Sequence, residues 1–165
     1  MKNPAFKHNA YTMVELMIAV AIIAVIAGIA IPAWERARQS AQRTGLINEI
    51  RNNADAFQNY ATDHNGNPSQ SLPPTGQQQQ IPDGMAPYMP KNSTWTTSPD
   101  GGGYWFWLNN VTHFPTLSGY NGYICVTSCG LPEEQLIEID SLLDDGNLNT
   151  GSFGASGGFV YYGVQ

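Results

Sequence analysis

Positive charge is scarce in most of this sequence. Past residue 52 the one basic side chain is Lys91, set against ten carboxylates. A surface that acidic repels phosphate backbones, which excludes nucleic acid as a partner of the C-terminal region. Histidine is almost as rare: His8, His64 and His113 have no metal-ligand spacing to one another or to a cysteine. Cysteine is limited to Cys125 and Cys129, which lack the two-residue spacing of a redox motif. The run Gly101-Gly102-Gly103 leads into Tyr104-Trp105-Phe106-Trp107, not into a lysine-bearing helix, so there is no phosphate-binding loop. No nucleophile, base and orienting group fall into a catalytic pattern, and the sequence reads as that of a protein without enzymatic activity.

Apolar residues are plentiful but unevenly placed. Leu16 to Ala33 is a run of 18 residues without a charge, LMIAVAIIAVIAGIAIPA. As helix it spans ~27 Å, close to the hydrocarbon thickness of a bilayer. Lys2, Lys7 and His8 precede it, and the basic stretch WERARQSAQR follows. The apolar core is too long for an ordinary secretory signal, and the sequence beyond it stays helical instead of breaking.

Beyond Pro32 the pattern stays helical. Small or apolar residues recur at Ala33, Ala37, Ala41, Ile47, Ile50, Ala54, Phe57 and Ala61, while Arg36, Arg38, Gln39, Arg43, Asn48 and Arg51 take the other faces. The periodicity predicts an amphipathic helix that stops in the His64-Asn65-Gly66-Asn67-Pro68 cluster. A single helix from Tyr11 to about Tyr60 is therefore half apolar and half amphipathic.

Two residues inside it require a physical account. Glu15 borders the apolar run, where a carboxylate at membrane depth costs roughly 2.5 kcal/mol or more and needs a partner. No basic side chain lies within one turn, but cutting the chain between Ala10 and Tyr11 would create an α-amino group four residues before Glu15. Pro32 removes a backbone donor and crowds the turn that holds Gly28, which predicts a kink or loosening between Ala24 and Pro32.

A short basic leader, a small residue, Tyr11-Thr12-Met13-Val14-Glu15-Leu16-Met17-Ile18, and an apolar run ending at Ile31-Pro32 together resemble the prepilin signature of type IV pilins and type II secretion pseudopilins. The resemblance spans residues 8–33. It implies cleavage by prepilin peptidase after Ala10, N-methylation of Tyr11, and pairing of Glu15 with the amine of a neighbouring subunit. It also implies an inner-membrane precursor with a periplasmic head, later packed with other pilin or pseudopilin subunits in a filament, with Gly28 and Pro32 in the packing helix. The family usually has glycine before the cut and phenylalanine after it, whereas this chain has Ala10 and Tyr11.

Residues 65–100 carry Pro68, Pro73, Pro74, Pro82, Pro87 and Pro90 and the run Gln77 to Gln80, which predicts a wrapped loop with one short turn near Met85 to Tyr88. Strands are predicted at Tyr104–Leu108, Tyr120–Thr127 and Gly158–Val164, and a helix at Pro132–Leu143. The expected fold is α+β: a long N-terminal helix packed on a small, mainly antiparallel sheet of about three strands. The organisation reads as leader 1–10, membrane-spanning and filament-core half 11–33, amphipathic half 34–64, and head 65–165.

Three features of the head suggest chemistry. Cys125 and Cys129 are close enough to close a small disulfide loop in an oxidising compartment, or to stand as two buried thiols. Asp140, Asp144, Asp145, Asn147 and Asn149 cluster oxygens in a Gly-containing stretch that suits Ca²⁺, although the spacing is not that of an EF-hand and an Asp-Gly turn explains it equally. Trp95, Tyr104, Trp105 and Trp107 form either a sheet core or a stacking platform for sugars. The sequence thus predicts a structural subunit of a type IV pilus or type II secretion pseudopilus. The alternative is a membrane-tethered adhesin whose aromatic cluster binds ligand.

Overall fold

The computed structural model describes residues 11–68, 81–91, 93, 95, 103, 105–109, 119–127 and 130–165. Helix α1 (Met13–His64) is followed by β1 (Trp105–Asn109), β2 (Gly122–Thr127), α2 (Glu133–Leu143), β3 (Phe153–Ser156) and β4 (Phe159–Val164). By its internal contacts the chain divides into two compact units, Met1–Ser40 and Ala41–Gln165.

In the first unit α1 is apolar on every face. Leu16, Ile22, Val25, Ile29 and Ile31 are all exposed, as are Met13, Val14 and Trp34. Burying one such side chain is worth about 1.5 kcal/mol or more, so the fourteen large apolar residues exposed between Tyr11 and Trp34 represent roughly 20 kcal/mol of unfavourable hydration. That exceeds the net stability of an ordinary domain, about 5–15 kcal/mol. So large an apolar surface is costly to leave in water. By length and composition it is long and apolar enough to cross a membrane. The helix runs unbroken through Gly28 and Pro32.

In the second unit α1 buries one stripe: Leu46, Ile47, Ile50, Asn53, Ala56 and Phe57. The spacing is that of one helical face. It shares Ile47, Ile50 and Phe57 with the predicted stripe, whereas Ala54 and Ala61 are only half-buried. Phe57 stacks on Trp107 with ring centroids 4.1 Å apart, and Trp95 bridges Phe57 and Trp105 at 5.7 and 6.1 Å. The helix ends where predicted. Asn65 has φ 53°, and the Gly66 N–H bonds the Ala61 carbonyl at 3.1 Å, a left-handed cap that satisfies an end carbonyl.

The sheet is antiparallel throughout, in the order β1-β2-β4-β3. Among the described residues it has four strands, not three. The additional one, β3, lies in Ser/Gly-rich sequence that carries little strand propensity. Phe153, fully buried, anchors it, and Gly154 sits where any side chain would strike the Tyr161 ring. Gly157 and Gly158 both have positive φ, 61° and 82°, which a two-residue turn joining β3 to β4 demands.

Alternation gives the sheet two apolar faces. Trp105, Trp107, Ile124, Val126, Phe153, Val160 and Val164 join the α1 stripe and α2 in the main core. Phe106, Leu108, Tyr123, Cys125 and Tyr161 form a second cluster on the opposite face. The predicted turn near Met85 is present, with the Tyr88 and Met89 N–H groups bonding the Met85 carbonyl, and it delivers Met85 and Met89 into the main core. Arg43 pairs with Glu138, and Arg51 donates to the Leu142 carbonyl at 3.1 Å, so α2 is also fastened to α1 by polar contacts.

Candidate functional site

The N-terminal end of α1 is built on a reciprocal cap. The Thr12 N–H and the Thr12 hydroxyl both donate to Glu15 Oε2 at 2.9 Å. In return the Glu15 N–H donates to the Thr12 hydroxyl oxygen at 3.2 Å. Thr12 and Glu15 thus form a capping box, which satisfies helix donors that have no partner within the helix. The pattern Thr-x-x-Glu ahead of an apolar run is a sequence signature of this device, and the reading of Glu15 as awaiting an amine missed it. The cap orients the carboxylate toward the chain end that Tyr11 would become. Tyr11 is exposed, while Ala10 lies outside the described residues.

Further along the same helix, a Cβ added at Gly28 would meet nothing within 4 Å. Among the described residues nothing therefore requires glycine there. Pro32 has no N–H to give the Gly28 carbonyl, and its own carbonyl accepts a bond from Arg36 Nε at 3.2 Å.

In the head the structure brings together Asp140, Asp144 and Asp145, with one carboxylate oxygen of each lying within 4.8 Å of the others. Asp140 is in the last turn of α2 and fully buried. Burial, then the neighbouring Asp145 and Asp144 charges, push its carboxyl up to about 6, while the Gly146 N–H pulls it the other way. Asp145 is held below its ordinary value by the Thr150 hydroxyl, at 2.7 Å, and by the Asn147 N–H, at 2.9 Å. Asp144 accepts from the Ser152 N–H and hydroxyl and packs against Gly151, whose φ is 80°. Asn147 Oδ1 is taken up by the Asn149 N–H at 3.2 Å, so Asn147 and Asn149 shape the turn.

Cys125 is buried in the second cluster, its Sγ 3.8 Å from the Tyr123 carbonyl, and burial pushes its thiol up. Cys129 lies outside the described residues, as does Tyr104. Trp95, Trp105 and Trp107 are 1%, 2% and 0% exposed. They are core, and a sugar-stacking platform at these three positions is excluded.

Residues 6–31 match the family model of the prokaryotic N-terminal methylation motif. The matched stretch contains Ala10, Tyr11, Glu15 and Gly28. No curated protein and no solved structure matches the chain.

Proposed function

We propose that this chain, which carries the prepilin-type signal of type IV pilins and pseudopilins, is a structural filament subunit of a type IV pilus or a type II secretion pseudopilus. The motif makes it a pilin-like or pseudopilin-like precursor and points to a structural subunit rather than an enzyme. Prepilin peptidase cuts after Ala10 and the new Tyr11 amine is methylated. The precursor waits in the membrane through the apolar half of α1, and the same half then packs against its copies in the filament. Glu15 draws each incoming subunit into register by pairing with an N-terminal amine, since neither charge is tolerable alone in an apolar core.

The observation that carries this reading is the methylation motif lying on a helix apolar on all faces. A helix of that kind needs lipid or other helices around it. The motif supports a reading in which membrane and filament supply both in turn. The test is Glu15→Ala in the full chain, with membrane and sheared-filament fractions compared. Insertion at the wild-type level with loss of incorporation is the expected result. Wild-type incorporation of the variant would remove charge pairing from the mechanism.

A further inference from the structure

Where α1 leaves its apolar run, the sequence changes character within one turn and a half. Ala33 is followed by Trp34, Glu35, Arg36, Ala37 and Arg38. Trp34, Arg36 and Arg38 are all exposed, Trp34 at 65%. The uncharged run before them is ~27 Å long as helix, close to the ~30 Å of a bilayer's hydrocarbon core, so a helix spanning it brings Trp34 to the level of the headgroups. Tryptophan is enriched at that level because its ring is amphipathic, and arginine reaches it by laying its methylenes along apolar surface.

The two arginines take different sides of the helix. Trp34 and Arg38, four residues apart, share a face, while Arg36 stands about 200° round the axis from Trp34. Arg36 also folds back toward the apolar run, its Nε donating to the Pro32 carbonyl at 3.2 Å. That bond uses one guanidinium donor and leaves both Nη groups without a partner among the described residues. Arg38 Nη1 lies 3.6 Å from Glu35 Oε1, an exposed pair of the kind that contributes little and leaves most of the Arg38 fork open. Arg43 and Arg51, by contrast, are engaged by α2 through Glu138 and the Leu142 carbonyl. Arg36 and Arg38 are thus the cations this stretch of α1 can offer to a partner.

We propose that Trp34, Arg36 and Arg38 form an interfacial collar that binds the phosphate groups of anionic phospholipids in the leaflet at the C-terminal end of the apolar run. A planar guanidinium matches two phosphate oxygens at once. A zwitterionic headgroup carries its own ammonium beside the phosphate, whereas an anionic one leaves its negative charge to the arginines, which an anionic leaflet attracts. The proposal rests on the reading of the apolar half of α1 as membrane-spanning and adds which lipids lie against its end. The consequence is positional. Sliding the helix along its axis takes the arginines off the phosphates or Trp34 out of the interface, so the collar fixes the depth at which the precursor waits.

The test uses the full chain in vesicles of phosphatidylcholine and phosphatidylglycerol, with one lipid or the other brominated on its acyl chains to quench tryptophan. Trp34 is the reporter, since Trp95, Trp105 and Trp107 are buried in the head, and Trp34→Phe supplies their background. The expected result is a preference for phosphatidylglycerol of roughly three- to tenfold: about fivefold for each arginine at an anionic surface, less the opposing Glu35. Arg36→Gln combined with Arg38→Gln is expected to bring the preference close to unity. So is about 1 M NaCl, where the Debye length is about 3 Å. Equal quenching by the two lipids overturns the proposal and leaves the arginines to another acidic surface, such as the head of a second copy. A preference that the double variant retains overturns it too. Quenching by neither lipid overturns the membrane-spanning reading as well, which separates the two failures.

Discussion

Thr12 and Glu15 hold each other across one turn, the hydroxyl and N–H of Thr12 on Glu15 Oε2 and the Glu15 N–H on the Thr12 oxygen. The carboxylate on which the proposed assembly depends is thus positioned before any neighbour arrives. Pre-positioning lowers the entropy lost when the pair forms.

Loss of the Thr12 hydroxyl tests this. Thr12→Val keeps the branched shape and removes the cap, a change worth about 1 kcal/mol at a helix N-terminus. Incorporation into filaments is expected to fall, though less than in Glu15→Ala, and Thr12→Ser is expected to restore it. Quantitative immunoblotting of sheared filaments against membranes measures both. A Thr12→Val chain that assembles like wild type would show that the cap is dispensable.

Phe57 is the other hinge of the account, because it joins α1 to the sheet through Trp107 and Trp95. Phe57→Ala removes a fully buried ring and leaves a cavity between large partners. The expected loss is about 3–5 kcal/mol of head stability, enough to unfold a marginal domain. Denaturant titration followed by tryptophan fluorescence reads it directly, since the reporting indoles line the cavity. Ala61→Gly, outside the buried stripe, serves as the control for helix propensity, at about 1 kcal/mol.

Stability depends on pH with a definite sign. Asp140 in the fold titrates near 6, above its ordinary value of 3.8, so the folded state holds its proton more tightly than the unfolded chain does. Its contribution is greatest below the ordinary value and is lost as pH rises through about 6. Asp145 is shifted the other way and is already ionised in both states across that window, so it adds no slope there. The Tm is therefore expected to fall as pH rises from 5 to 7, and Asp140→Asn is expected to flatten that fall. An identical slope in wild type and variant would show that Asp140 is not the titrating group.

Much of the architecture was legible because it follows from single, strong signals. The uncharged run from Leu16 to Ala33 marks the apolar half of α1, and Asn65-Gly66 marks its end. The strands built on Trp105, Ile124 and Tyr161 declare themselves by bulky, β-prone residues. What was not legible depended on partners. Phe153-Gly154-Ala155-Ser156 reads as loop, and becomes a strand only because β4 offers an edge and Tyr161 requires a glycine opposite it. Asp140 falls one turn after Leu136 on the buried face of α2, where periodicity alone expects an apolar side chain. Its burial is set by what packs over that turn, which no local pattern encodes. The Thr12–Glu15 box, by contrast, is present in the sequence as Thr-x-x-Glu ahead of an apolar run.

The most direct measurement is the mass of the mature N-terminus of protein recovered from assembled filaments. The expected peptide begins at Tyr11 and carries one added methyl group on its amine. Assembled protein that still begins at Met1 would contradict the account, because without that new amine Glu15 has no charge partner to seek.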